Sequence, residues 1–173
     1  MANINVKDDS NYESITMNIK QLNQSEIKIG VFGEDDSFQV MKATVHEFGV
    51  KIPVTPKMRA WFAYQGYPLS PSTTEIHIPE RSFLRATFDD KSQEIQKAGR
   101  EEIEKVIAGG ASGKLAARRY GLKLSALVQE KMTEVKDPPL SDMTKERRRG
   151  SGAEANPLVD QGRMRQGITY KVE

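Results

Sequence analysis

Cysteine is absent from this 173-residue chain. That removes disulfides, thiolate metal ligands and thiol nucleophiles together. Histidine is nearly as scarce. His46 and His77 are the only two, too few without cysteine to close a structural zinc site. HEFGV at 46–50 also lacks the second histidine of an HExxH protease helix, so both are expected to be satisfied core or rim histidines. No apolar run approaches the roughly 20 residues of a membrane span, and MANINVKDDSNYES has no basic-then-apolar signal pattern. A soluble, unexported protein is expected. An excess of either charge is missing too, with 26 Lys+Arg against 24 Asp+Glu, so net charge by itself points to no polyanion.

Catalytic constellations are also missing. GGASGKL at 109–115 has Ala108 where a phosphate loop needs its first glycine and Leu115 where it needs Ser or Thr. The acidic groups Glu34–Asp35–Asp36 and Asp89–Asp90 sit at expected turns and helix starts, where carboxylates cap backbone donors. No Ser or Asp has the surroundings of a nucleophile. Nothing in the residues argues for an enzyme, a cofactor or a metal.

What the chain does contain is periodicity. Tyr12, Ile15, Ile19 and Leu22 recur at helical spacing after a candidate cap, Ser10. EIKIGVFG alternates as a half-buried strand. FQVMKATVHEFG places Val40, Met41, Val45 and Phe48 on one helical face, with Gly49 as its stop. Prolines 53, 56, 68 and 71 then surround Trp61, Phe62, Tyr64 and Tyr67. This stretch reads as a long hairpin-like arm, either a surface loop with an aromatic cluster or a partner surface. Helices are expected over 82–108, carrying Ile95, Ala98 or Gly99, Ile103 and Val106 or Ile107, and over 113–134, carrying Leu115, Leu122, Leu124, Leu127, Val128 and Met132. A Gly-rich turn between them makes an αα-hairpin. DPPL stops the second helix, 137–156 reads as a mobile polar loop, and ITYKV ends the chain with a strand pattern.

The expectation is therefore an α+β fold in a single domain, 1–173. A small, mostly antiparallel sheet (strands near 26–32, 74–78 and 168–172) packs on the αα-hairpin. The Pro/aromatic arm, 50–73, and the polar loop project outward, and 157–173 forms a C-terminal strand module. Within KERRRG, Lys145, Arg147, Arg148 and Arg149 are either a solvated charge run or candidate nucleic-acid contacts. They lack a stacking platform beside them.

Three stretches carry more than composition. These are VHEFGVKI with TPKMRAWFAYQGY, then IPERSFLRATFDD, then DPPLS followed by NPLVDQGRMRQGITYKV. Together, from about residue 26 onward, they resemble the tail-completion or neck proteins of tailed bacteriophages, the group that includes the virion morphogenesis protein of Mu-like phages. The matching positions are Ile78, Pro79, Arg81, Phe83, Leu84 and Arg85, and then Pro157, Leu158, Asp160, Gly162, Arg163, Met164, Arg165, Ile168 and Tyr170. Gln161 and Gly167 depart from the family pattern.

The resemblance implies a non-enzymatic virion protein at the head–tail junction, assembled in the bacterial host cytoplasm. Its sister subunits form a ring, a hexamer by analogy with the tail. Its other partners are a tail terminator, a head-closure or connector protein, and DNA in passing. Trp61, Phe62, Tyr64, Tyr67, Arg81, Phe83, Arg85, Asp160, Arg163, Met164 and Arg165 are the candidate partner or subunit contacts.

The residues have their own physical reading. Pro79 can open a helix, and Arg81 and Arg85 lie four apart on one face of it, either solvated at a core-facing helix start or paired with carboxylates, within the chain or across a subunit contact. Asp160 can cap a short turn, and the last strand can join either its own sheet or a neighbour's.

Overall fold

A computed structural model describes residues 12–33, 36–148 and 156–173. Helix α1 (Tyr12–Gln24) leads into strand β1 (Ile27–Gly30) and helix α2 (Ser37–Phe48). Asp36 starts α2 by accepting the amides of Phe38 and Gln39 at 2.9 and 3.2 Å. Gly49 ends it at φ 68°. Strand β2 (Val50–Pro53) follows, then α3 (Pro56–Tyr64), β3 (Glu75–Ile78), α4 (Leu84–Asp90), α5 (Ser92–Ile107) and α6 (Gly113–Glu134). The chain closes with α7 (Asp142–Arg148), the single turn α8 (Arg163–Gln166) and β4 (Thr169–Val172).

The α+β class is as expected, but the strands form two separate pairs rather than one sheet. The pair missing from the sequence reading is β2 with β3. It is antiparallel, with Val50 opposite Ile78 and Ile52 opposite Ile76. β4 pairs with β1: Glu26 and Glu173 exchange both backbone bonds, at 2.9 and 3.0 Å, the signature of an antiparallel pair. Lys28 joins the same edge through a 2.5 Å ion pair to Glu173. The closing strand thus completes the chain's own sheet.

The expected arm is structured. Thr55 caps α3 by accepting the Met58 amide at 3.2 Å, and Pro56 takes the first-turn position where no amide is needed. Arg59 then gathers the returning loop, donating to the carbonyls of Leu69, Ser70 and Thr73 at 3.2, 2.8 and 2.8 Å. Part of the expected mobile loop is α7, which Ser141 begins by taking the Lys145 amide on its carbonyl. Residues 149–155, Ser10 and the pair 34–35 lie outside the described residues.

By its contacts the chain divides into two compact units. The first comprises 1–29, 93–124 and 170–173. Its core joins Val106, Ala111 and Ala116 with Leu22 of α1 packed on them. The second comprises 30–92 and 125–169, with Phe83, Thr87, Val128, Met132, Pro157 and Ile168 fully enclosed. The helix expected over 82–108 is broken at Lys91, close to the division between units. Its first part, α4, meets the second half of α6 through Asp90–Lys131 at 2.6 Å and Lys91 with Glu130 and Glu134. Its second part, α5, meets the first half of α6, where Gly99 lies against the Tyr120 ring.

Candidate functional site

The segments that carry the resemblance meet in the second unit, and Glu47 is their first junction. Nothing in the local sequence singles out Glu47 within VHEFGVKI. In the structure the Glu47 side chain is only 4% exposed and accepts five hydrogen bonds. Four come from the Ser82 hydroxyl (2.8 Å) and the amides of Phe83, Leu84 and Arg85 (2.8, 2.9 and 3.0 Å). The fifth is the Arg85 Nε at 3.1 Å. These amides are the unsatisfied start of α4, whose own N-cap, Phe83, offers no side-chain acceptor. A carboxylate from α2 therefore caps α4 across 36 residues of sequence. Burial works to raise the Glu47 pKa, but the amides and the hydroxyl outweigh it and hold the carboxyl below its ordinary value.

Arg85 completes the junction, donating to the Glu47 carbonyl at 2.6 Å and to the Glu80 carboxylate at 2.8 Å. The Glu47 bond is the main reason its pKa is raised. Of the two readings open for these arginines, solvated or paired with carboxylates, the paired one holds within this chain for Arg85. Arg81 differs. It precedes the helix, is 5% exposed, and donates Nε and an Nη to the carbonyls of Pro138 and Pro139 at 2.6 and 2.8 Å. Pro79 lies between β3 and α4 rather than in the first turn of α4. DPPL is thereby tied to IPERSFLR.

The C-terminal segment is held by residues the sequence reading did not assign. Asn156 accepts the amides of Leu158 and Val159, both at 2.9 Å, and donates to the carbonyls of Met132 and Thr133. It is the Asx turn that Asn followed by Pro can announce. Asp160 is no helix cap: α8 starts from Gly162 without a side-chain bond, and Asp160 pairs with Arg148 at 3.6 Å. Arg148 also donates to the carbonyls of Asn156 and Val159. Leu158, Met164 and Ile168 are 4%, 6% and 2% exposed, and Gln129 fixes the Ile168 carbonyl at 2.9 Å.

Between α2 and this segment lies a cleft of about 330 Å³ lined by Gln39, Lys42, His46, Arg148, Leu158 and Arg163 among others. His46 was expected to be satisfied, yet its Nδ1 and the Gln39 Oε1 are buried without a hydrogen-bond partner. Burial, and then the nearby Arg81, Arg148 and Lys42, push the imidazole pKa down to about 4. It is therefore neutral at physiological pH.

The other candidate contacts divide clearly. Phe83, Arg81 and Met164 are internal, so they serve the chain's own packing and not its surface. Trp61 and Tyr64 are 44% and 86% exposed, Phe62 meets Trp61 edge-to-face at 5.0 Å, and Tyr67 bonds to Glu146. Arg163 is exposed and Arg165 half-buried. Of the basic run, Lys145 pairs with Asp142, Arg147 lies 6.0 Å from the Trp61 ring centre, Arg148 faces inward, and Arg149 lies outside the described residues.

Among the described residues no group of three acidic or histidine side chains could hold a metal, and no helix is long and apolar enough to cross a membrane. Comparisons with protein-family models, with curated proteins and with solved structures find no match to this chain.

Proposed function

We propose that this chain is a structural virion protein of the phage neck or tail-completion region, whose copies assemble into a ring that finishes the tail and joins it to the head. The observation that carries the reading is the use made of the resemblance segments. Their most conspicuous ionisable groups, Glu47, Arg81 and Arg85, with Arg148 beside them, are bonded to the chain's own backbone. Such groups build a framework and are not poised for reaction. Assembly is supported by the surface, where Tyr12, Phe38, Phe48, Trp61, Tyr64 and Leu122 are all more than 40% exposed. Aromatic and large apolar side chains concentrate where proteins meet.

Electron microscopy of particles made without the protein is the test. Filled heads and finished tails that fail to join are expected; normal virions overturn the proposal. A nucleic-acid role for 145–149 draws less support, because Lys145, Arg147 and Arg148 already have partners within the chain. Duplex affinity that falls steeply with salt and is abolished by Arg147→Ala would favour it instead.

A further inference from the structure

Helix α2 is inside out. The side chains it buries are Gln39, Ala43 and Glu47, spaced four apart along one face. Its large apolar residues point the other way: Phe38, Met41 and Phe48 are 59%, 51% and 63% exposed, and Val45 between them is half-buried. At about 100° per residue the two stripes lie on opposite sides of the helix. The outer stripe has the 3-4-3 spacing of a coiled-coil seam, and that spacing is unchanged on reversal. Read backwards, Phe38 takes the place of Phe48, and Met41 the place of Val45.

We infer that α2 pairs with α2 of a second copy of this chain, antiparallel across a two-fold axis near position 43. In that arrangement phenylalanine meets phenylalanine at each end and Met41 meets Val45 in the middle. The helix dipoles oppose one another. Asp36, at the start of one helix, comes beside Lys51, just past the end of the other. The cations bordering the stripe, Lys42 at 4.9 Å from the Phe38 ring and Arg85 at 4.9 Å from the Phe48 ring, would repel across such a pair if unbalanced. Arg85 is already neutralised by Glu47 and Glu80. Each stripe offers roughly 350 Å² of apolar surface. Two together make roughly 700 Å², below the ~1,200 Å² of a standard interface, so the pairing depends on concentration. A two-fold contact cannot close a ring, so the inference adds to the proposed function and does not depend on it.

Light scattering on the free protein at roughly 100 μM is expected to give twice the chain mass, and Met41→Glu to weaken the pairing at least roughly tenfold with its melting temperature kept. Met41→Gln, which preserves length and helix propensity, replaces it should the charged variant not fold. Because the chain has no cysteine, register can be read directly. A mixture of Met41→Cys and Val45→Cys chains should form intermolecular disulfides several-fold faster than either alone. A monomer at that concentration, or equal cross-linking in all three samples, overturns the pairing. A larger oligomer indifferent to Met41→Glu also overturns it, while leaving the ring standing.

Discussion

At the scale of single residues, two neighbours on α2 carry opposite burdens. Glu47 is buried with more hydrogen bonds than a carboxylate usually finds; His46 is buried with one nitrogen unmatched. Removing the Glu47 charge leaves the amides of Phe83 and Leu84 with a weaker acceptor and Arg85 with one carboxylate fewer. Glu47→Gln is therefore expected to cost about 2 kcal/mol, and Glu47→Ala about 3 kcal/mol, measured by urea unfolding. The histidine governs pH dependence. Its folded pKa is depressed from 6.5 to about 4, so stability is complete above the unfolded value and is lost as pH falls through that window. The full drop is about 3 kcal/mol. His46→Phe should flatten the stability profile between pH 7 and pH 5, and a profile as steep as the parent's would refute the assignment. Glu47, also depressed, keeps its contribution above its ordinary value of 4.5 and loses it progressively as pH falls from there through its lower folded value.

At the scale of elements, α1, α2 and the helical stretches on either side of 109–112 were legible, whereas α3, α7 and the facing of α2 were not. Asp36 and Gly49 act where their chemistry said they should, because caps and stops are local; Thr55 caps a helix that the prolines around it masked. Which side of α2 is buried is decided by Glu47 reaching across to α4, a contact between residues far apart in sequence, and that overrides the apolar period. The same blindness explains Leu115 and Leu122. Both belong to the apolar set expected on the second helix, yet they are 40% and 60% exposed, while small Ala116 and Ala117 are fully enclosed. Small residues permit close approach, and Gly121 is one instance. A Cβ built there would lie 2.5 Å from the Tyr170 ring and 3.2 Å from Ile27. Gly121→Ala should cost roughly 2 kcal/mol through displaced Tyr170, visible as faster hydrogen exchange in β1 and β4. Gly49 answers to the backbone instead. At φ 68° and with Glu80 N 2.8 Å from a built Cβ, Gly49→Ala should destabilise by roughly 2 kcal/mol.

At the scale of the whole molecule, the chain divides between units near 29, 92, 124 and 169, so neither unit is a continuous piece of sequence. A linear reading sees one domain with arms because nothing in composition marks those divisions: α6 runs on through 124, and the break at Lys91 is one residue wide. The C-terminal segment shows the consequence most sharply. Its strand pattern was legible, but its larger contribution is apolar: Pro157, Leu158, Met164 and Ile168 sit inside the second unit, whereas residues 170–173 belong to the first. Two truncations separate these roles. Removing 170–173 takes away β4 and its bonds to Glu26 and Lys28; exchange protection should fall in β1 and persist in α4. Removing 157–173 also strips three large buried side chains at about 2–3 kcal/mol each, a sum close to the whole stability of an ordinary domain. The longer truncation should therefore lose its cooperative thermal transition altogether. If it still melts cooperatively within a few degrees of the full chain, the packing role assigned to Leu158, Met164 and Ile168 is wrong.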